Sequence, residues 1–259
     1  MLVSIIIPTL DEAGSIGALL GALTRLPGAP EVTVVDGGSR DDTCAIARAC
    51  GARVITSARG RGAQLHAGAC AARGDAFWFL HADTLPPVDA IAQITSALAQ
   101  DTQTVGGNFT IRFDGDERAA RFLTWLYPRL RRLGLAYGDS GFFVRRAVYE
   151  QCGGFQSFPI FEDLDLLRRL WRHGRFVQLD AQVVTSARRF AGCSFILTFT
   201  RWSILQGLYW LGVHPRHLGR LYAPIRGRRV DREQASVCAS VGASKDESDE
   251  TGKTERARA

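Results

Sequence analysis

Four short polar clusters interrupt otherwise apolar runs, and their residue types are those of acid–base and metal chemistry. They are Pro8-Thr9-Leu10-Asp11-Glu12, Asp36-Gly37-Gly38-Ser39, His81-Ala82-Asp83-Thr84 and Phe161-Glu162-Asp163-Leu164-Asp165. An ionised carboxylate only accepts hydrogen bonds, so it suits N–H and hydroxyl donors on a ligand. Together with phosphate oxygens and water it can hold Mg2+ or Mn2+. Set against a hydroxyl, it takes the proton as that oxygen attacks. Taken alone, each carboxylate could equally cap the helix that follows it. The order and spacing of the four clusters make them more specific than any one of them.

The elements that must position these clusters follow from hydrophobic periodicity. Residues 3–7 read as a buried strand stopped by Pro8, 31–36 as a second strand, 53–56 as a third and 75–80 as a fourth. Helical spacing runs over 15–26, 41–50, 62–72 and 88–100, so strands and helices alternate. That rhythm predicts an α/β fold with a mostly parallel central sheet covered by helices on both faces. Ligands of such sheets bind beyond the carboxyl ends of the strands, where the four clusters are expected, the fourth just before the helix that starts at Leu164. After residue 100 the rhythm changes. A longer strand is expected over 105–113, an Arg-rich helix over 117–133, a strand over 141–145, a helix over 164–173 and a last short strand over 183–185.

Composition narrows the function further. The formal net charge is +6, and up to Ile225 every Lys or Arg is Arg, a residue suited to bidentate phosphate contacts. Codon bias would give the same pattern. The arginines form no basic stripe with interleaved aromatics, so nucleic-acid binding is not supported. The six cysteines form no C-x-x-C pair and no zinc-spaced cluster, which fits a reducing compartment. The apolar run at the N-terminus lacks the basic flank and cleavage site of a secretory signal, so a cytoplasmic location is expected.

The phrases Ser4-Ile-Ile-Ile-Pro-Thr-Leu10, Val35-Asp-Gly-Gly-Ser39, Phe79-Leu-His-Ala-Asp-Thr84 and Val184-Thr-Ser186 with Arg188-Arg189 resemble glycosyltransferase family 2, the large group with the GT-A fold. The resemblance covers about residues 2–222. It is nearest to a bacterial "transferase 2" branch associated with radical-SAM and selenodomain genes. It implies an inverting enzyme that moves a sugar from a nucleoside-diphosphate sugar to an acceptor hydroxyl with a divalent metal, Mg2+ or Mn2+. By the same resemblance, Pro8, Thr9 and Glu12 line the nucleotide pocket, Asp36 receives the base or ribose with Ser39 beside it, and Arg61 and Gln64 flank the nucleotide. Asp83 corresponds to the last aspartate of the family's D-x-D metal motif, whose first aspartate is replaced here by His81. Asp163 corresponds to the general base, with Glu162 and Asp139 on the acceptor side. Arg188 and Arg189 resemble the basic residues that close over the diphosphate; a solvated basic pair is the alternative. His66 stands where the family commonly has Asn, and the tryptophans at 125, 171, 202 and 210 are expected in the core.

This reading gives one transferase domain over 1–225, with a nucleotide-binding half (1–100) and an acceptor half (101–225). A charged tail, 226–259, is expected to be disordered, because its composition cannot offset chain entropy. The apolar stretch 195–213 contains Arg201, which makes a membrane span costly. Two readings remain for it: a helix packed on the domain, or a peripheral helix on the inner membrane face. Two further functions compete. A nucleotidyltransferase would carry a Gly-rich basic loop after the first strand, where Pro8-Thr-Leu-Asp-Glu12 stands instead. A non-catalytic nucleotide-sugar-binding protein would tend to lose the acidic set Asp36, Asp83 and Asp163. The G-x-G-x-x-G of a dinucleotide-dependent oxidoreductase is absent.

Overall fold

Alternate residues of the first strand face opposite sides of a sheet, and both sides are apolar. In the computed structural model, which describes residues 1–114, 118–132, 138–186 and 195–221, β1 (Val3–Thr9) sends Ile5 and Ile7 into one core cluster and Ile6 into another. β2 (Glu31–Asp36) divides Val34 from Val35 in the same way, and β4 (Ala76–Phe79) divides Trp78 from Phe77 and Phe79. Such two-sided burial explains why these strands read as continuous apolar runs.

The remaining elements are α1 (Ala13–Leu23), α2 (Thr43–Ala49), β3 (Arg53–Thr56), α3 (Arg61–Ala71), β5 (Thr84–Leu85), α4 (Ala90–Gln100), β6 (Thr104–Phe113), α5 (Arg118–Arg132), a 3-10 turn (Gly138–Ser140), β7 (Phe143–Arg145), α6 (Arg146–Gln151), α7 (Glu162–Leu170), β8 (Arg175–Thr185), α8 (Phe195–Trp210) and α9 (Pro215–Leu218). The eight strands stand in the order β3-β2-β1-β4-β7-β6-β8-β5. The first four are mutually parallel. β7 then enters antiparallel between β4 and β6, β6 and β8 are parallel, and β5 closes the edge antiparallel to β8. The sheet is therefore parallel in its first half and mixed in its second, where the expected rhythm changed.

Several boundaries differ from expectation for physical reasons. Pro8 does not stop β1, which continues to Thr9. It lies past the last β1–β4 pair, Ile6 with Phe79, at a strand end where a missing N–H is tolerated. The short strand expected at 183–185 is the end of the eleven-residue β8. Val177, Leu179, Ala181 and Val183 alternate there with Gln178, Asp180 and Gln182, the period-2 pattern of a half-buried strand that begins well before residue 183. Trp125, Trp171 and Trp210 are not core residues: they are 52, 43 and 59% exposed. The helices bearing Trp125 and Trp210 bury only one face. Among the described residues no helix is long and apolar enough to cross a membrane. α8 instead buries Leu205, Gln206 and Tyr209 against the domain, with Leu205 and Tyr209 in a cluster that includes Ile160, Phe161, Leu164 and Leu218. The expected tail lies outside the described residues.

Candidate active site

The loops after β1 and β2 are laced together before any ligand is considered. Asp11, with a left-handed φ of 57°, donates its N–H to Ser39 Oγ at 2.9 Å and accepts the Arg40 N–H on Oδ1 at 2.8 Å. The N–H groups that open α1 find no cap within the helix. Glu12 N–H donates to Thr43 Oγ1 at 2.8 Å and Ala13 N–H to Asp41 Oδ2 at 3.1 Å, both from the β2–α2 side. Glu12 Oε2 accepts the Ser15 hydroxyl at 2.8 Å.

Asp36 ends β2 and is 4% exposed. Its carboxylate accepts the Gly38 N–H at 2.9 Å, the Ser39 N–H at 3.0 Å and the Ser39 hydroxyl, with the Thr9 hydroxyl at 3.5 Å. Burial works to raise its pKa, but the donors from Ser39, Gly38 and Cys44 outweigh it and hold the carboxyl below the usual value. Gln64 donates both amide hydrogens to main-chain carbonyls, Thr9 and Val35, each at 2.8 Å. The structure thus brings Thr9, Asp36, Ser39 and Gln64 together and makes Gln64 a strut between two strand ends. Pro8 sits beside them, half-buried.

Replacing Asp36 by Asn tests this arrangement. A lowered folded pKa means that the stabilisation is present above the unfolded pKa and is lost as pH falls through the folded one. We expect Asp36→Asn to reduce stability by about 1–3 kcal/mol at neutral pH, the scale for disrupting a buried hydrogen-bonding site. The gap between variant and native should close in acid. Urea unfolding at neutral and acidic pH measures both. A variant as stable as the native chain at neutral pH would show that these hydrogen bonds hold nothing.

A second cluster forms at the start of α7. Phe161, the residue before that helix, has a left-handed φ of 62°, a conformation unfavourable for a bulky side chain. The packing of Phe161 among Ile160, Leu164, Leu205, Tyr209 and Leu218 holds it there. Glu162 and Asp163 follow in the first helical turn, 1 and 6% exposed. Asp163 is thus inside the helix rather than its N-cap. Glu162 pairs with Arg61 at the start of α3, and the same guanidinium stands 3.9 Å from Asp163 Oδ2. α3 can approach this closely because Gly62 has no side chain: a Cβ there would stand 2.2 Å from the Gln156 carbonyl oxygen and 3.3 Å from Glu162 Cβ.

Asp163 Oδ2 accepts the Gly138 N–H at 2.7 Å, and Oδ1 accepts the Leu164 N–H at 2.8 Å. Burial and then Glu162 push its pKa up, while Arg61 and the two N–H donors pull the other way; the net shift is upward. Arg61 shows the converse: burial disfavours its charge, and Glu162, Asp163 and Asp139 outweigh burial. His81 Nδ1 stands 3.4 Å from Asp139 Oδ1. A Cβ on Gly138 would lie 3.3 Å from Asp163 Oδ2 and 3.4 Å from His81 Nε2, so His81 and Asp163 both abut that glycine. Asp83 is half-buried on the loop between β4 and β5. Arg188 and Arg189 lie outside the described residues.

Two contributors were not foreseen. Asn108, buried in β6, donates its amide to Ser140 Oγ at 2.8 Å and so braces the turn that carries Gly138 and Asp139. A buried Asn within an apolar strand was the available signal. The Arg61–Glu162 pair joins residues 101 apart in sequence, and no local pattern reports it.

The family model described as "Glycosyl transferase family 2" matches residues 4–153, more than half of the chain. The chain belongs to glycosyl transferase family 2. Its match to that model spans the laced loops, Arg61, Asp83 and Asp139, and stops before Glu162 and Asp163. A curated family-2-like relative is the undecaprenyl-phosphate 4-deoxy-4-formamido-L-arabinose transferase of Sodalis glossinidius (strain morsitans), 32% identical over 157 residues. That alignment covers 55% of this chain and 48% of the relative, so the chain spans about half the relative's length. Among solved structures, a mannosyltransferase from Pyrobaculum calidifontis in complex with GDP-Man and Mn2+ superposes with a TM-score of 0.62 at 21% identity, covering 80% of this chain and 61% of that one. Glucosyl-3-phosphoglycerate synthase from Mycobacterium tuberculosis, in complex with Mn2+, UDP and glucosyl-3-phosphoglycerate, gives 0.54 at 21% identity, covering 70% of each. At such identities the likenesses show the fold, which is that of GT-A glycosyltransferases.

Proposed function

We propose that this chain transfers a glycosyl group from a nucleoside-diphosphate sugar to an acceptor hydroxyl, with inversion at the anomeric carbon and Asp163 as general base. The observation that carries the reading is the setting of Asp163. It is a buried carboxylate with one backbone N–H on each oxygen and a raised pKa. Each carboxylate oxygen has two lone-pair sites, so one on each remains for an incoming hydroxyl. As the acceptor oxygen bonds to the anomeric carbon, its proton passes to Asp163. The bond from that carbon to the diphosphate oxygen breaks, and its electron pair leaves with the nucleoside diphosphate. A retaining route through a glycosyl-enzyme needs a nucleophile on the opposite face of the sugar. The neighbours are committed elsewhere, Glu162 to Arg61 and Asp139 to His81.

The nucleotide end of the donor is assigned to Pro8, Thr9, Glu12, Asp36 and Ser39; a diphosphate role for Arg189, outside the described residues, rests on the family resemblance alone. Among the described residues no three His, Cys, Asp or Glu side chains group to hold a metal. Asp83 alone still fits Mg2+ or Mn2+, which are commonly held by one or two carboxylates together with substrate phosphates. Such an ion would neutralise charge on the departing diphosphate. The solved neighbours complexed with UDP or GDP-Man and Mn2+ support this reading without extending their sugars or acceptors to this chain.

Product stereochemistry tests the mechanism. Proton NMR of the first product formed from an α-linked nucleotide sugar should show a β-glycoside, or the β-anomer when water accepts the sugar. An α-product would overturn single displacement.

A further inference from the structure

The outer faces of α5 and α8 have no role in the site just described. On α8, Leu197, Ile204 and Leu211 just past its end recur seven residues apart along the side turned away from the buried Gln206 and Tyr209, with Arg201 flanking it and donating to the Leu221 carbonyl. Leu197 is 71%, Ile204 58% and Leu211 83% exposed. On α5, Phe122 and Trp125 stack at 5.9 Å, and the Arg129 guanidinium lies 3.9 Å over the Trp125 ring. Phe122 meets Phe199 of α8 edge to face at 6.2 Å, so the two helices lie side by side. Arg121, Arg129 and Arg201 are exposed on these helices, and Arg216 and Arg220 on α9 and just after it. No Asp or Glu occurs between Arg118 and Gly138, or from Ala181 to Val230.

We infer that this face docks on an anionic lipid bilayer as a peripheral membrane surface. Exposed aromatic and aliphatic side chains beside arginines, with no carboxylate in the described stretches 118–132 and 195–221, match the acyl boundary and the negative headgroups of such a membrane. A soluble partner would satisfy the apolar groups, but the one-sided charge specifies an acidic surface. The opposite side of α8 packs against Phe161 and Leu164, which flank Glu162 and Asp163. Docking therefore holds the start of α7 one helix layer from the lipid, about 10 Å. The inference does not depend on the proposed reaction, and its test contains no substrate.

The full chain is mixed at low salt with vesicles of equimolar phosphatidylglycerol and phosphatidylcholine, or of phosphatidylcholine alone, and floated on a density gradient. It should rise with the anionic vesicles and stay at the bottom with the neutral ones. The double variant Ile204→Asp/Leu211→Asp, altered only at exposed positions and checked by its melting curve, should partition at least about tenfold less. A native chain that stays at the bottom with anionic vesicles would overturn the inference. So would a double variant that floats as well as the native chain, since another segment would then hold the lipid. Sedimentation equilibrium adds the last arm. A native dimer that the double variant turns to monomer would assign the face to a second copy of the chain and overturn bilayer docking.

Discussion

Asp163→Asn should lower the rate of glycosyl transfer by at least about 100-fold while leaving donor affinity within a few-fold, the scale for loss of a general base. Asn keeps the shape of the side chain and one oxygen, enough for either the Gly138 N–H or the Leu164 N–H but not for both. What it removes is the ability to take a proton. A base works ionised, and burial and Glu162 raise the Asp163 pKa. The acid limb of the native pH profile should therefore lie above the usual carboxylate range. The effect of ionisation on stability has a definite sign as well. A carboxyl with a raised folded pKa contributes stability below its unfolded pKa, and that stability is lost as pH rises through the folded value. At neutral pH the ionised Asp163 is a cost that Asn removes, while the backbone N–H left facing the Asn NH2 group costs about 1–3 kcal/mol, so the two effects oppose each other and a melting curve must accompany the rate. Glu162→Gln is the control. An inactive Glu162→Gln beside an active Asp163→Asn would move the base by one residue.

Asp83→Ala should abolish transfer and remove the metal dependence of nucleoside-diphosphate binding. Asp83 follows a fully buried strand on a half-buried loop, where its carboxylate can reach a ligand at little cost to the core. If its part is to share a divalent ion with the diphosphate, calorimetry with UDP or GDP should show native affinity falling at least about tenfold when EDTA replaces Mn2+, about 1.4 kcal/mol. The variant should bind weakly and equally in both conditions. Equal native affinity with Mn2+ and with EDTA would remove the metal from the account.

Much of the first half was legible because its signals are local. The strands at β1, β2 and β4 are apolar on both faces, and their ends carry Thr9, Asp36 and the segment His81–Asp83, so the sheet and the polar clusters at its carboxyl edge could be read together. The second half was less legible because its order is set by long-range pairing. β8 becomes an eleven-residue strand by lying along β6, although its stretch from Val177 to Val183 already alternates apolar and polar residues. The candidate base was visible as Glu162-Asp163. Its surroundings were not, since Arg61 arrives from a helix far earlier in the chain and Gly138 from a separate turn. The tryptophans were misplaced for a related reason: apolar character alone does not distinguish a face packed on the core from a face open to something else.

The most direct test of the central claim is the release of nucleoside diphosphate from a panel of nucleotide sugars with Mn2+ and water as acceptor, run on the native chain and Asp163→Asn with donor affinity measured in parallel. The account predicts that the native chain hydrolyses at least one donor in a metal-dependent manner. It also predicts that Asp163→Asn binds that donor within a few-fold and releases the diphosphate at least about 100-fold more slowly. A native chain that binds no nucleotide sugar with or without Mn2+, or an Asp163→Asn variant that hydrolyses its donor at the native rate, would contradict it.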